Sequence, residues 1–425
     1  MIGIGQKITK RLQTVHPSVF AIFAVAMAFT TYFCMYAFRK PFAAASYQGE
    51  MVFGLGLKDA AIISQLVGYA LSKFIGIKFN SEMKPGQRAF ALIGLILFAE
   101  LALVLFAVLP NEGKVLAIFL NGLPLGAVWG VVFSFLEGRQ ISEILGAGLS
   151  CSYIIASGWV KSAGSWLVDS HGVAEVWMPA LTGLLFLPLF LVTVWGLSLL
   201  PPPSEDDVAA RTDRSPMYKN ERRAFVKKYF FGLALLVLVY LFLTAFREFG
   251  DSYEKEIFVE LGVTDSTAFG ELSMYVAFVV MGVLSLLFLV KSNRLGLLLT
   301  YIIMGTGAAM IGVGTILFDM GVLTGFQWKL AVALGLYLAY VPFGCVLFDR
   351  MIAALGVVAT AVFLIYVADA VGYGGSVGVV IYKRLGQGDV SVVEFFRYFS
   401  YITSVATFVG FFVSGAYFMR RAKAD

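Results

Sequence analysis

The sequence predicts an all-α integral membrane protein, with twelve transmembrane helices arranged as two pseudo-symmetric six-helix halves. Three observations support this fold class. The 425 residues are 59% hydrophobic and 14% charged, a composition outside the range of soluble globular domains. The apolar stretches are continuous, as in membrane-spanning helices, and lack the alternation of barrel strands. Matching segments also recur in the two halves of the chain.

Apolar runs between polar breaks define the predicted spans, each near the roughly 20 residues that a helix needs to cross a bilayer. If the N-terminus is cytoplasmic, the inside segments carry about twice as many Lys and Arg residues as the outside ones. We therefore expect both termini in the cytoplasm and the protein in a bacterial inner (plasma) membrane. The twelve runs are 18–39, 59–78, 88–109, 115–137, 143–168, 177–200, 229–247, 268–290, 295–318, 328–348, 351–382 and 395–419.

A polar segment divides the chain in two. Residues 201–228 begin with three prolines and are rich in charged side chains. We interpret them as a cytoplasmic connector between an N-terminal six-helix half, residues 1–200, and a C-terminal six-helix half, residues 229–425. The first six predicted spans therefore belong to the N-terminal half and the last six to the C-terminal half.

The two halves share sequence. Residues 46–88 and 252–294 are identical at ten of 43 aligned positions, and the segment ending in Arg39 matches the one ending in Arg247. An even number of spans in each half makes the repeats parallel. Such repeats predict a substrate site at their interface near mid-membrane, where the two arginines would serve one ligand.

Basic residues in apolar stretches point to an anionic cargo, because a cation at membrane depth costs about 2.5–3.5 kcal/mol on insertion scales. Tyr32 and Tyr36 share a helical face with the first arginine, and Tyr69 shares one with a lysine. A planar guanidinium binds phosphate in a bidentate manner. Snorkelling to the headgroups is the alternative reading. The basic residues are Arg39, Lys73, Lys161 and Arg247.

Four motifs carry a family resemblance. Tyr32-x-x-x-Tyr36-x-x-Arg39-Lys40-x-Phe42-Ala43 and Tyr69-x-x-Ser72-Lys73-Phe74-Ile75 resemble the first two helices of the organophosphate:inorganic phosphate antiporters, the glycerol-3-phosphate and hexose-phosphate transporters of the major facilitator superfamily. Arg247 with Tyr253-x-Lys255-Glu256 is similar to their seventh helix, and Gly372-Tyr373-Gly374-Gly375 to their eleventh.

The resemblance implies a major facilitator fold and a phosphate site. Lys161 falls where the family has a histidine, and Thr244 where it has a tyrosine, so the cargo can differ from the family's. The implied substrate-binding residues are Arg39, Arg247, Lys73, Lys161, Tyr32, Tyr36, Tyr69 and Tyr373.

Asp369 is a lone acid in the eleventh span, on one face with Tyr366 and Tyr373. A buried lysine keeps its charge only with a partner, so we expect Lys161 to pair with Asp369. The pair would serve as a structural bridge or as a coupling element. An unpaired Asp369 would instead carry a proton, which leaves a proton-coupled organic-anion symporter as the alternative function.

Charged residues also recur at the predicted cytoplasmic ends of four spans. They are either solvated helix ends or a network that holds the cytoplasmic side closed, and we predict the network because the arginines recur in both halves. The residues assigned to coupling or gating, besides Asp369, are Glu137, Arg139, Glu143, Asp349 and Arg350.

The sequence predicts a secondary active transporter that exchanges an organic phosphate for inorganic phosphate by alternating access. A transporter-like membrane sensor is a further alternative. No catalytic constellation, zinc spacing or nucleotide loop is present, so we expect no enzyme activity, metal or cofactor. The expected partners are a small anionic solute and the lipid bilayer, without nucleic acid, and the protein is expected to be a monomer.

Overall fold

The protein is almost entirely helical. Its computed structural model describes residues 2–81, 83–136, 142–202, 219–263, 265, 267–287, 289–357 and 361–422. Within these ranges the regular structure consists of fifteen α-helices, two 3₁₀ turns and one two-stranded hairpin. The predicted all-α class is confirmed.

The chain divides into two compact units, Met1–Thr212 and Asp213–Asp425. In the first unit, a short helix precedes six long ones, and a 3₁₀ turn and the hairpin connect the second helix to the third. The elements are α1 (Ile2–Thr14), α2 (Pro17–Tyr36), the turn Pro41–Ala44, β1 (Met51–Val52), β2 (Leu55–Gly56), α3 (Leu57–Ser81), α4 (Arg88–Val108), α5 (Asn111–Ser134), α6 (Ser142–His171) and α7 (Met178–Ser198).

The second unit contains six long helices and two short ones. Its elements are α8 (Lys219–Ser252), α9 (Glu254–Glu260), α10 (Ala268–Leu287), α11 (Asn293–Asp319), α12 (Gly325–Cys345), α13 (Leu347–Leu355), α14 (Ala361–Gly386) and α15 (Val392–Met419). The helix α8 is kinked at Tyr229, where φ is −112° and ψ is 17°. The kink separates an apolar helix from a polar helical segment, residues 219–228, that the sequence analysis assigned to the connector.

The apolar run 351–382 is not one helix. It is interrupted at Gly356, which has a φ of +60° and ends α13 in the left-handed conformation that glycine adopts without a steric cost. The next helix, α14, begins at Ala361. Hydropathy missed this break because the residues on both sides of the glycine are equally apolar.

In the described part of the chain, twelve helices have at least 20 residues, which is enough to cross a membrane. Ten of the helices in this part also contain a stretch that is apolar enough for a membrane span. The protein is therefore an integral multi-pass membrane protein, and the orientation of its termini stays a prediction.

Both units contain a lysine–glutamate ion pair at corresponding places. Lys114 on α5 lies 3.0 Å from Glu50, and Lys329 on α12 lies 3.7 Å from Glu254. Each lysine begins the fourth long helix of its unit, and each glutamate follows the first. The internal repeat of the sequence is thus accompanied by a repeated tertiary contact.

Glu100 is an acid in the middle of the apolar helix α4. Its side chain is buried, and neither carboxyl oxygen makes a hydrogen bond with any residue that the structure describes. A Cβ built on Gly183 of α7 would collide with the Oε2 atom, so the carboxyl group lies directly against the backbone of that helix. A buried polar group without a hydrogen bond costs about 1–3 kcal/mol in proteins.

Replacing Glu100 with leucine is therefore expected to stabilise the protein. The change removes the unsatisfied group and keeps most of the side-chain volume, so the melting temperature in detergent should rise by about 2–4 °C. The matched control is Glu112→Leu at an exposed position in the first turn of α5, which should leave the melting temperature almost unchanged. A lower melting temperature for Glu100→Leu would show that the carboxyl group has a stabilising partner.

Candidate functional site

In the first unit, Arg39 lies in an irregular turn and not within a helix. The helix α2 ends at Tyr36, and turn residues lead through Arg39 into the 3₁₀ turn. The Arg39 side chain is only 1% exposed. A basic side chain that reached the headgroups would be exposed, so its burial argues against the snorkelling alternative.

Two buried amides hold this turn in place. The Gln65 Nε2 atom donates to the Arg39 carbonyl at 2.9 Å and to the Asn121 Oδ1 atom at 2.8 Å. The Asn121 Nδ2 atom donates to the Phe38 carbonyl at 2.9 Å and to the Ala99 carbonyl at 3.0 Å. Each amide nitrogen therefore uses both of its hydrogens. The four bonds tie α3, α4 and α5 to the backbone of the turn.

The Arg39 guanidinium lies over an aromatic ring. Its Cζ atom is 4.0 Å from the centroid of Tyr69, and the Lys73 Nζ atom is 5.4 Å from the same centroid. Since both cations lie at one ring, they are less than about 10 Å apart, and at an effective dielectric constant of about 20 they repel by at least roughly 1.5 kcal/mol. Negative charge close to both cations would offset this repulsion.

The same region of the first unit contains further predicted site residues. Tyr32 and Tyr36 are buried and make an edge-to-face contact, with ring centroids 5.6 Å apart. Lys161 on α6 is completely buried. It lies one helical turn before Gly164, where a Cβ would be 3.4 Å from the Cβ atom of Pro41 in the 3₁₀ turn. The helix that carries Lys161 therefore packs against the segment that follows Arg39.

In the second unit, Arg247 lies within α8 and is enclosed by three side chains. Its Nη2 atom is 2.6 Å from the Glu248 Oε1 atom and 3.1 Å from the Tyr373 hydroxyl oxygen. Its Cζ atom lies 4.7 Å from the centroid of Tyr340. The structure thus brings together the predicted residues Arg247 and Tyr373 and adds Glu248 and Tyr340.

Asp369 belongs to the same cluster. The Tyr240 hydroxyl donates to the Asp369 Oδ1 atom at 2.5 Å and lies 2.9 Å from the Tyr340 hydroxyl. The two tyrosine rings are stacked, with centroids 5.1 Å apart. A continuous set of contacts therefore runs from Asp369 through Tyr240 and Tyr340 to Arg247. The pairing of Lys161 with Asp369 stays a prediction.

The predicted gating residues are only partly described. Glu137 and Arg139 lie outside the described residues, as does the side chain of Glu143. Arg350 on α13 donates to the Asn293 Oδ1 atom at 3.2 Å and to the Leu287 carbonyl at 3.4 Å, while Asp349 is partly buried. The charge network between these residues stays a prediction.

The sequence analysis missed Gln65, Asn121, Tyr240 and Tyr340. Polar amides within apolar spans were the available signal for the first two. The tyrosines gave no distinctive signal, because aromatic residues are frequent throughout the spans. Nor does any group of three or more His, Cys, Asp or Glu residues able to hold a metal occur in the described part of the chain.

Comparisons with known proteins agree with this architecture. Residues 41–421 match DUF5690, which is described as a family of unknown function. None of the curated proteins matches the sequence significantly.

Solved structures of similar fold are transporters. The nucleoside transporter NupG is 13% identical, with a TM-score of 0.59, and the match covers 93% of this chain and 99% of that one. A POT family transporter in complex with a thioalcohol-conjugated peptide is 11% identical, with a TM-score of 0.59, and the match covers 91% of this chain and 94% of that one. A bacterial homolog of the human lysosomal transporter Spinster, in an inward-facing and unoccupied conformation, is 12% identical. Its TM-score is 0.60, and the match covers 96% of this chain and 99% of that one. At these identities the likeness shows the fold, which is the predicted major facilitator fold.

Proposed function

We propose that the chain, which belongs to the DUF5690 family, is a secondary active transporter that exchanges an organic phosphate for inorganic phosphate by alternating access. The observation that carries this proposal is the placement of Arg39 and Lys73 at the ring of Tyr69, with Lys161 fully buried in the same unit. Buried cations that repel one another are costly to the protein, and a multiply charged anion compensates this cost.

In this function, Arg39 binds the phosphoryl oxygens with its planar fork, and Lys73 and Lys161 add positive charge. Tyr32, Tyr36 and Tyr69 supply hydroxyl groups and ring faces. Arg247 contributes the second guanidinium, as its repeat position predicts, and Tyr373 supports it. Because the cations are concentrated in the first unit, a doubly charged phosphoryl group on a neutral body is the cargo that suits the charges best.

Exchange follows from the charge of the empty site. Rocking between inward-open and outward-open states would move the positive charge of the site within the low-dielectric membrane interior, and a bound anion would reduce the cost of this movement. The cargo lowers this cost if it binds the intermediate between the two states more tightly than it binds either state. The gating residues Glu137, Arg139, Glu143, Asp349 and Arg350 are proposed to close the cytoplasmic side.

Transport assays in proteoliposomes test the proposed phosphate exchange directly. Vesicles preloaded with inorganic phosphate should take up labelled inorganic phosphate several times faster than vesicles preloaded with chloride, without an imposed proton gradient. A thermal-shift screen of the purified protein against phosphate, phosphate esters and carboxylates should show the largest rise for the phosphates. Equal shifts for all anions, together with no saturable uptake in either vesicle type, would contradict the proposal.

The hydrogen bond from Tyr240 to Asp369 favours one alternative, proton-coupled anion symport. Asp369 is partly buried and connected to Arg247 through two tyrosines, so its charge state would influence the arginine. Under this alternative, uptake into chloride-loaded vesicles should follow an imposed pH gradient and disappear in Asp369→Asn. Under anion exchange, Asp369→Asn should keep phosphate self-exchange.

A further inference from the structure

The residue that follows the repeat arginine differs between the two halves. Arg39 is followed by Lys40, and Arg247 is followed by Glu248. Both following residues are buried, with exposed fractions of 3% and 1%. At equivalent positions the first half therefore has a second cation, whereas the second half has a carboxylate. The charge at this position is therefore reversed between the halves, although the repeat arginine itself is present in both.

The Glu248 carboxylate already forms an ion pair with Arg247. The 2.6 Å distance between Nη2 and Oε1 is that of a charge-assisted hydrogen bond, and the two side chains are only 8% and 2% exposed. The guanidinium also contacts the Tyr373 hydroxyl and the Tyr340 ring. An anionic ligand oxygen that approaches Nη2 would take the position that Glu248 Oε1 holds now.

We propose that Glu248 is an internal competitor for the anion site, so that substrate binding at the Nη2 atom of Arg247 requires displacement of the Glu248 carboxylate. This inference rests on the proposed function. The neighbouring carboxylate neutralises Arg247 when no cargo is bound, and it lowers the affinity of every anion that must replace it at Nη2. Glu248 would therefore weaken the binding of anions at this arginine in general.

The test compares Glu248→Gln with Glu254→Gln in the full-length protein, with binding of inorganic phosphate and of acetate measured by titration calorimetry. Glu254 is the matched control, because it is also a buried glutamate of the second unit in an ion pair, and its partner there is Lys329. Glu248→Gln should tighten phosphate binding and acetate binding about tenfold each, because it removes a competitor that both anions must displace. Glu254→Gln should leave both affinities unchanged.

Several outcomes decide the matter. Unchanged or weaker phosphate binding in Glu248→Gln would overturn the inference, as would equal tightening in Glu254→Gln. If Glu248→Gln does not fold, Glu248→Asp takes its place: the shorter carboxylate reaches Arg247 less well, so binding should tighten, and unchanged binding again overturns the inference. If the wild-type protein and all variants bind neither anion, the proposed function itself fails.

Discussion

Arg39→Lys is expected to bind inorganic phosphate about 10- to 100-fold more weakly than the wild-type protein. The substitution keeps the positive charge but removes the planar fork and the stacking of the guanidinium on Tyr69. Losing one charge-assisted hydrogen bond costs about 1.5–3 kcal/mol, which corresponds to this range of affinity. Titration calorimetry in detergent measures the change, and phosphate exchange in proteoliposomes should fall in parallel.

The matched control is Arg397→Lys. Arg397 is also an arginine, but it is partly exposed and lies 3.3 Å from Asp319 in a surface ion pair. Such pairs contribute about 0–1 kcal/mol, so this variant should bind phosphate like the wild-type protein. If Arg39→Lys also binds phosphate with unchanged affinity, the hypothesis that the planar guanidinium recognises phosphate is wrong, and Arg39 acts only through its charge.

Hydropathy predicts the long helices of this fold well, because membrane spans need continuous apolar sequence whatever their packing. It fails where the backbone changes without a change in polarity. Gly356 interrupts one predicted span, and the mostly polar residues 219–228 are helical although they lie outside every predicted span. Both differences depend on backbone conformation, which composition does not record.

The repeat predicts the site less completely than it predicts the fold. The sequence matches Tyr69 with Tyr275, yet Tyr69 is buried against Arg39, whereas Tyr275 is 52% exposed. Equivalent positions in the two halves have therefore diverged in their surroundings. Residues such as Gln65 and Tyr240 contact the predicted arginine or aspartate through tertiary packing, and their importance follows only from the partners that the fold provides.

Asn121→Ala is expected to cause the largest loss of stability among these variants. Asn121 is completely buried, and its side chain bonds Gln65 and the carbonyls of Phe38 and Ala99. Alanine removes these three buried hydrogen bonds, each of which contributes about 0.5–1.5 kcal/mol, and it leaves a cavity in place of the amide. The free energy of unfolding should fall by about 3 kcal/mol or more, and the melting temperature should fall correspondingly.

The control and a double-mutant cycle separate stability from positioning. Asn111→Ala, at the partly exposed start of α5, should change the melting temperature little. Gln65→Ala should also destabilise the protein, and the double variant should lose less than the sum of the two single losses because the amides share one hydrogen bond. Strictly additive losses would show that the amides act separately. If Asn121 also positions Arg39, its alanine variant should bind phosphate more weakly even at temperatures where it is fully folded, because the turn carrying the guanidinium has lost the bond at Phe38.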